Sequence, residues 1–126
     1  CAAILGAGLL LESCGSSLPI FKTQAQNRQL RVPLQEFTPE KSMVVVRAKE
    51  LEHDILVVKK EDHYNALYLQ CTHEGVGLSP TGKKIVCTAH GSVFDLDGNV
   101  LKEPALKPLK KFETTVSGNT IIITLT

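Results

Sequence analysis

The sequence predicts an all-β domain, a small antiparallel β-sandwich or barrel. Short runs rich in Val, Ile, Leu and Tyr recur from residue 30 onward, and Pro, Glu, Asp and Asn residues separate them. Tight turns are expected at Asp97-Gly98-Asn99 and at Ser117-Gly118-Asn119. No amphipathic helical pattern of useful length follows residue 22. Many short strands closed by tight turns are typical of sandwiches and barrels.

Two parts are expected along the 126 residues, a leading segment over residues 1–29 and one domain over residues 30–126. A hydrophobic content of 43% suffices for one core of that size. The domain would open with four strands, over residues 30–37, 42–47, 54–60 and 64–70. A closing hairpin would pair residues 112–116 with residues 120–125.

The leading segment predicts export or membrane attachment. Residues 2–11 form an apolar run that is too short to span a bilayer, which takes about twenty residues, but suits the apolar region of an export signal. The Leu11-Glu12-Ser13-Cys14-Gly15 sequence that follows resembles a bacterial lipobox, so Cys14 is a candidate lipidation site. The alternative is a retained hydrophobic anchor helix. Residues 16–29 are polar and aperiodic and indicate a tether, so the expected location is periplasmic and membrane-anchored.

Four residues carry the metal chemistry: Cys71, His73, Cys87 and His90, in the pattern C-x-H-x13-C-x-x-H. Two thiolates and two imidazoles are the ligand set of a Rieske [2Fe–2S] centre. Each pair follows a short β-like run, residues 66–70 or 84–86, and precedes a loop containing glycine. The ligands are therefore expected on two loop tips that face each other.

A zinc site is the alternative for the same four side chains, because Cys₂His₂ is also a tetrahedral zinc ligand set. Zinc fingers normally pair Cys with Cys and His with His along the chain and continue into a helix. Here each pair is mixed and no helix follows, which favours the iron–sulfur interpretation.

The two ligand boxes and a later proline-containing stretch resemble the Rieske family over about residues 30 to 126. The resemblance implies that Cys71 and Cys87 bind an inner, buried iron and that His73 and His90 bind an outer iron near the surface. The stretch from Glu103 to Leu109 resembles the proline-rich loop that covers the cluster in that family. Its covering residues would be Pro104, Ala105 and Leu106.

Four positions in the boxes bear on the reduction potential. Quinol-oxidising members of the family join their loops by a disulfide, whose positions are occupied here by Val76 and Ala89. Phe94 stands where that group usually has a Tyr, whereas Ser92, the expected donor to a bridging sulfide, is retained. Hydrogen bonds to cluster sulfurs raise the potential, so the loss of one lowers it.

Glu74 replaces an apolar residue that often shields the cluster in the quinol-oxidising group. A carboxylate beside the centre would favour the oxidised form. The alternative is that Glu74 points into water.

Charge gives little support to a nucleic-acid partner, because the net charge is +1 and no basic stripe with interleaved aromatics is present. Six lysines cluster in sequence around the second ligand box, either as a solvated face or as a rim that steers an acidic redox partner: Lys83, Lys84, Lys102, Lys107, Lys110 and Lys111. His53 and His63 lack a nearby Cys and are expected at the surface.

Two electron-transfer functions compete. The first is a membrane-associated subunit of a respiratory or photosynthetic complex that passes electrons to a cytochrome-like acceptor, which the leading segment favours. The second is a ferredoxin-type protein that serves an oxygenase or another oxidoreductase, which the missing disulfide and Phe94 favour. The sequence contains no hydrolytic triad, no phosphate-binding loop and no separate two-histidine, one-carboxylate iron site, so we expect an electron carrier and not an enzyme.

Overall fold

Eleven strands and one short 3-10 helix, Leu34–Glu36, make up the part of the chain that the computed structural model describes, residues 18–126. The strands are β1 Ile20–Thr23, β2 Gln29–Pro33, β3 Met43–Ala48, β4 Ile55–Lys59, β5 Tyr64–Tyr68, β6 Ser79–Pro80, β7 Ile85–Val86, β8 Val93–Phe94, β9 Val100–Lys102, β10 Lys111–Ser117 and β11 Thr120–Thr124. The predicted all-β class is confirmed.

The larger sheet has the strand order β1-β3-β4-β5-β10-β11-β2. Its first and last strands, β1 and β2, lie close to each other, so the sheet is nearly closed into a barrel. All its pairs are antiparallel except β1 and β3, which run parallel with Ile20 opposite Val45. The predicted hairpin of β10 and β11 forms, with Ser117 opposite Thr120.

Part of the predicted tether, residues 16–29, is strand in the structure. Strand β1 lies within residues 16–29 and pairs with β3 along its whole length, and Gln29 opens β2. Leu18 packs against buried residues of the domain as well. The short Ile-Phe-Lys-Thr run of β1 contains β-favouring residues, but it is surrounded by polar residues, and its pairing with β3 supplies the backbone hydrogen bonds.

The first of the four predicted strands ends earlier in the structure than expected. The run over residues 30–37 ends as a strand at Pro33, because Pro has no N–H to continue a ladder. The chain then turns through the 3-10 helix and returns Phe37 to the core.

The central strands β3, β4 and β5 are buried on both faces, which explains their nearly continuous apolar sequences. Because side chains alternate along a strand, Val44 and Val57 face a core inside the large sheet, whereas Val45 and Leu56 face a second core. This second core also contains Cys71 and Cys87.

The smaller sheet, in the order β6-β7-β8-β9, lies over the second core and holds the predicted ligand loops. Residues 69–78 join β5 to β6, and residues 87–92 join β7 to β8. Ile85 pairs with Phe94 across β7 and β8, and both side chains are buried. The second loop therefore connects the two strands of a short hairpin that is anchored in the core. Both ligand boxes therefore meet at one end of the small sheet.

Among residues 18–126, no helix has the length and apolar character needed to cross a bilayer.

Among the glycines of residues 18–126, Gly98 is expected to be the one whose replacement costs most stability. It has a φ of +87°, and a Cβ added there would lie 3.1 Å from Leu67 Cδ2. We expect Gly98→Ala to lower the free energy of unfolding by roughly 1–2 kcal/mol for the left-handed backbone, with a further loss for the contact. Gly118→Ala is the matched control, because its φ is +61° and its surroundings are open. Equal losses in denaturant titrations of the two variants would contradict the role of the Leu67 contact.

Candidate metal centre

The first ligand loop is fixed by two backbone hydrogen bonds around Cys71. The Cys71 N–H donates to the Val76 carbonyl at 2.8 Å, and the Gly75 N–H donates to the Cys71 carbonyl at 2.8 Å. Gly75 has a φ of +76°, a left-handed conformation that glycine adopts without strain. The loop therefore closes on its own cysteine and directs His73 outward.

The second loop repeats the same hydrogen bonds. The Cys87 N–H donates to the Ser92 carbonyl at 2.8 Å, the Gly91 N–H donates to the Cys87 carbonyl at 2.9 Å, and Gly91 has a φ of +82°. In each box a glycine lies four residues after the cysteine. That shared spacing is the local sequence signal that the two loops have one conformation.

The four predicted ligand side chains lie at two depths. Cys71 and Cys87 are 2% and 1% exposed and are both free thiols. The side chains of His73 and His90 are 37% and 51% exposed, and their rings meet edge to face with centroids 5.5 Å apart. The structure thus places a buried sulfur layer under an exposed imidazole layer.

This arrangement fits a two-iron cluster better than one zinc ion. A tetrahedral zinc ion, with bonds of about 2.0–2.3 Å, needs all four ligand atoms within roughly 4 Å of one another. Within residues 18–126 the ligand atoms that converge to within 4.8 Å belong to His73, Glu74 and His90, without either cysteine sulfur. Thiolates and imidazoles held in separate layers suit a cluster with two sulfur ligands on one iron and two nitrogen ligands on the other.

Glu74 lies against both histidines. Its Oε2 is 3.3 Å from His73 Nδ1 and 3.3 Å from His90 Nδ1, and its side chain is 37% exposed. The Glu74 carboxylate therefore lies beside the two predicted histidine ligands, while part of its side chain is also open to water. The structure also brings together a two-histidine, one-carboxylate group, which the sequence did not reveal because His90 belongs to the other loop.

The proline-containing segment, residues 103–109, is attached to both ligand loops. The Ala105 N–H donates to Ser92 Oγ at 3.0 Å, and both residues are fully buried. Thr72 Oγ1 donates to the Lys107 carbonyl at 2.8 Å. The sequence did not predict this role of Thr72 in attaching the segment to the first loop. The partner of its hydroxyl lies 35 residues away, so no local pattern indicates the contact.

Ala105, Leu106 and Pro104 have different exposures on this segment. Ala105 is fully buried, Pro104 is partly buried, and Leu106 is 79% exposed. Leu106 thus adds an apolar side chain to the surface of the segment, whereas Ala105 forms its anchor.

Phe94 is fully buried in the second core, beside the two cysteines in the same cluster of side chains. Val76 and Ala89, which replace the disulfide cysteines of quinol-oxidising relatives, are both exposed. Cys14, the predicted lipidation site, lies outside the described residues.

The six lysines do not form one rim. Register places Lys84, next to Ile85, at the end of the small sheet away from the second ligand loop, and places Lys102, opposite Val93, near that loop. Lys110 donates to the Thr126 carbonyl at 2.6 Å and lies over the Phe112 ring. Of the six, Lys102 and Lys107 are the ones that the fold brings near the ligand loops, so most of the cluster is a solvated face.

His63 is exposed, as expected, and its hydrogen bond lowers the pKa of Asp62. His53 differs from the expectation of a surface residue, because it is partly buried with its ring edge-on to Tyr68 at 5.7 Å. A Cβ added to Gly77 would lie 3.4 Å from His53 Nδ1, so this ring packs beside the first ligand loop.

The sequence is similar to known proteins over most of its length. The family model of the Rieske [2Fe-2S] domain matches residues 28–113. Cytochrome b6-f complex iron-sulfur subunit 3 of Nostoc sp. PCC 7120 is 28% identical over 130 residues, which cover 97% of this chain and 73% of that protein. The cytochrome b6-f complex iron-sulfur subunit of Chlorobaculum thiosulfatiphilum is 31% identical over 74 residues, 57% of this chain and 41% of that subunit.

Solved structures agree on the fold. The plasma membrane Rieske protein PetC3 from Synechocystis PCC 6803 superimposes with a TM-score of 0.62 at 28% identity, over 75% of this chain and 98% of that one. The ferredoxin of carbazole 1,9a-dioxygenase from Nocardioides aromaticivorans has a TM-score of 0.57 at 20% identity, over 79% of this chain and all of that one. At 20% identity, the similarity to this ferredoxin concerns the fold alone.

Proposed function

Because the chain belongs to the Rieske [2Fe-2S] domain family, we propose that it is a membrane-anchored, extracytoplasmic electron carrier of a respiratory or photosynthetic redox complex. Family membership gives the cofactor and the reaction class: a Rieske [2Fe–2S] cluster and electron transfer through it. The proposal adds the compartment, the anchor, the partners and the residues that hold the cluster.

The cluster would be held by the two matched loops. Cys71 and Cys87, buried in the second core, bind the inner iron, and His73 and His90, exposed at the tip, bind the outer one. When bound, the cluster accepts and releases one electron at a time. The observation that carries this assignment is the depth difference between the buried thiols and the exposed imidazoles.

The exposed histidine edges are the proposed point of contact with a redox partner. Two exposed apolar side chains lie on the neighbouring segments. Leu106, on residues 103–109, is 79% exposed, and Val76, on the first ligand loop, is 40% exposed. An apolar rim around polar ring edges is suited to a transient protein contact, since it excludes water without a strong charge requirement.

A membrane complex is favoured over a ferredoxin role by the relatives, whose names place them in the cytochrome b6-f complex. The match covers 73% of the Nostoc subunit but only 41% of the Chlorobaculum one, so assembly into such a complex is part of the proposal. The missing disulfide cysteines and Phe94 favour the second candidate, a ferredoxin-type donor to an oxygenase or other oxidoreductase.

Electron transfer to defined partners separates the two candidates. The reduced protein is mixed, in a stopped-flow instrument, with a c-type cytochrome or with a Rieske oxygenase as acceptor. Rapid reduction of the cytochrome, with negligible reduction of the oxygenase, is expected for the subunit of a membrane complex. The opposite preference would overturn the proposed role. Electron paramagnetic resonance of the reduced chain, recorded beforehand, establishes that the cluster itself is present.

Attachment through Cys14 is a separate prediction. We expect the protein to sediment with membranes, and we expect Cys14→Ser to release it, because the residues around Cys14 resemble a lipobox. Cell fractionation and mass spectrometry of the intact protein are the measurements. Cys1→Ser is the matched control and should leave the protein in the membrane fraction. An unmodified Cys14 in a protein recovered from the cytoplasm would contradict the prediction.

A further inference from the structure

We propose that the folded chain, before its cluster is in place, binds a single first-row divalent metal ion through His73, Glu74 and His90. The ligand atoms of these three side chains lie within 4.8 Å of one another. The inference concerns the cluster-free protein, so it holds or fails separately from the proposed electron-transfer role.

The distances match those of a mononuclear site. Two metal–ligand bonds of about 2.1 Å that meet at roughly 100° hold their outer atoms about 3.2 Å apart. Glu74 Oε2 lies 3.3 Å from His73 Nδ1 and 3.3 Å from His90 Nδ1. An ion beside that oxygen would reach both nitrogens with small side-chain adjustments.

The donor set specifies the class of ion. Two imidazoles and one carboxylate with open coordination positions form the set that non-haem Fe(II) proteins use, and imidazole also suits Ni, Cu and Zn. Soft metal ions prefer thiolates, but neither buried cysteine sulfur belongs to this group of ligand atoms. The site is therefore expected to bind a divalent ion such as Fe²⁺, with water molecules in the remaining coordination positions.

The site is accessible and brings the two loops together. The side chains are 37%, 37% and 51% exposed for His73, Glu74 and His90, so an ion can enter from solvent. Glu74 and His73 belong to the first loop and His90 to the second, so one ion would join both loops. Because the cluster is expected to use the same imidazoles, the ion and the complete cluster exclude each other.

Cobalt(II) is the probe, because its spectrum reports the ligands. The full chain is stripped of its cluster under reducing conditions, its fold is checked by circular dichroism, and it is titrated with Co²⁺. We expect one ion per chain and no thiolate-to-cobalt charge-transfer band. Glu74→Gln should weaken binding roughly tenfold or more, since altering even a residue that only supports a ligand costs about 10- to 100-fold. Glu113→Gln, an exposed carboxylate on β10, is the matched control and should bind like the wild type.

A second protein keeps the test independent of the stripping step. Cys71→Ser/Cys87→Ser lacks the thiolates and is isolated directly; it should bind Co²⁺ with unchanged affinity. A charge-transfer band in the wild type, equal affinity in Glu74→Gln, or loss of binding in the double variant would each overturn the proposal. So would an unfolded cluster-free chain, because the site requires both loops in place.

Discussion

Replacing His90 by alanine is expected to abolish the cluster. The wild-type chain should contain two irons and two acid-labile sulfides, and His90→Ala should contain nearly none, because one iron loses a ligand at an exposed position where solvent competes. Cys87→Ser should have the same effect from the buried side, since its side chain is 1% exposed and lies in the second core. Iron and sulfide analysis of anaerobically purified protein is the measurement.

His63→Ala is the matched control for the loss of an imidazole. His63 is exposed and paired with Asp62, and it lies at the opposite end of β5 from the first ligand loop, so its removal should leave the metal content unchanged. One zinc ion and no sulfide in the wild type would contradict the cluster assignment. Full cluster content in His90→Ala would show that His90 is not a ligand.

The second large effect is on the midpoint potential, and Ser92 is the residue expected to control it most. Ser92 Oγ accepts a hydrogen bond from the Ala105 N–H at 3.0 Å and is fully buried, so the remaining O–H proton is free to donate towards a cluster sulfur. One hydrogen bond contributes on the order of 1 kcal/mol. For a one-electron couple, a tenfold change in the equilibrium constant corresponds to a shift of about 59 mV in the midpoint potential. Ser92→Ala should therefore lower the midpoint by some tens of millivolts.

Phe94→Tyr is expected to shift the potential in the opposite direction. Phe94 is fully buried in the same core as Cys71 and Cys87, so an added hydroxyl would have cluster sulfurs as candidate acceptors. Phe112→Tyr is the matched control, because Phe112 is also buried but belongs to the other core. Protein-film voltammetry at one pH compares the three variants. An unchanged potential in both Ser92→Ala and Phe94→Tyr would refute the tuning role of these two residues.

The wild-type midpoint itself is expected in the lower half of the Rieske range, which runs from roughly −150 to +300 mV. The absent disulfide, the absent Tyr hydroxyl and the Glu74 carboxylate beside both imidazoles all favour the oxidised state. A value near the top of that range would favour a quinol-oxidising role despite Val76 and Ala89.

The sequence by itself determined the metal chemistry and the fold class because both depend on local patterns. Residue types and their spacing were enough to predict a Rieske centre, and the runs over β3 and β4 predicted strands through their β-branched residues, as did the tyrosines of β5. Glycine spacing fixed the two ligand loops as well, since Gly75 and Gly91 each close a turn on a cysteine four residues earlier. These are properties of a few consecutive residues.

Only the tertiary structure decided which side chains meet across the chain. Register and packing placed Cys71 and Cys87 under the imidazoles, turned Glu74 towards both rings, and joined Thr72 to Lys107. The position of β1 is another example, because its short Ile-Phe-Lys-Thr run does not reveal that it pairs in parallel with β3. Such contacts link residues tens of positions apart, and their free energy comes from burial and hydrogen bonding that exist only once both partners are in place.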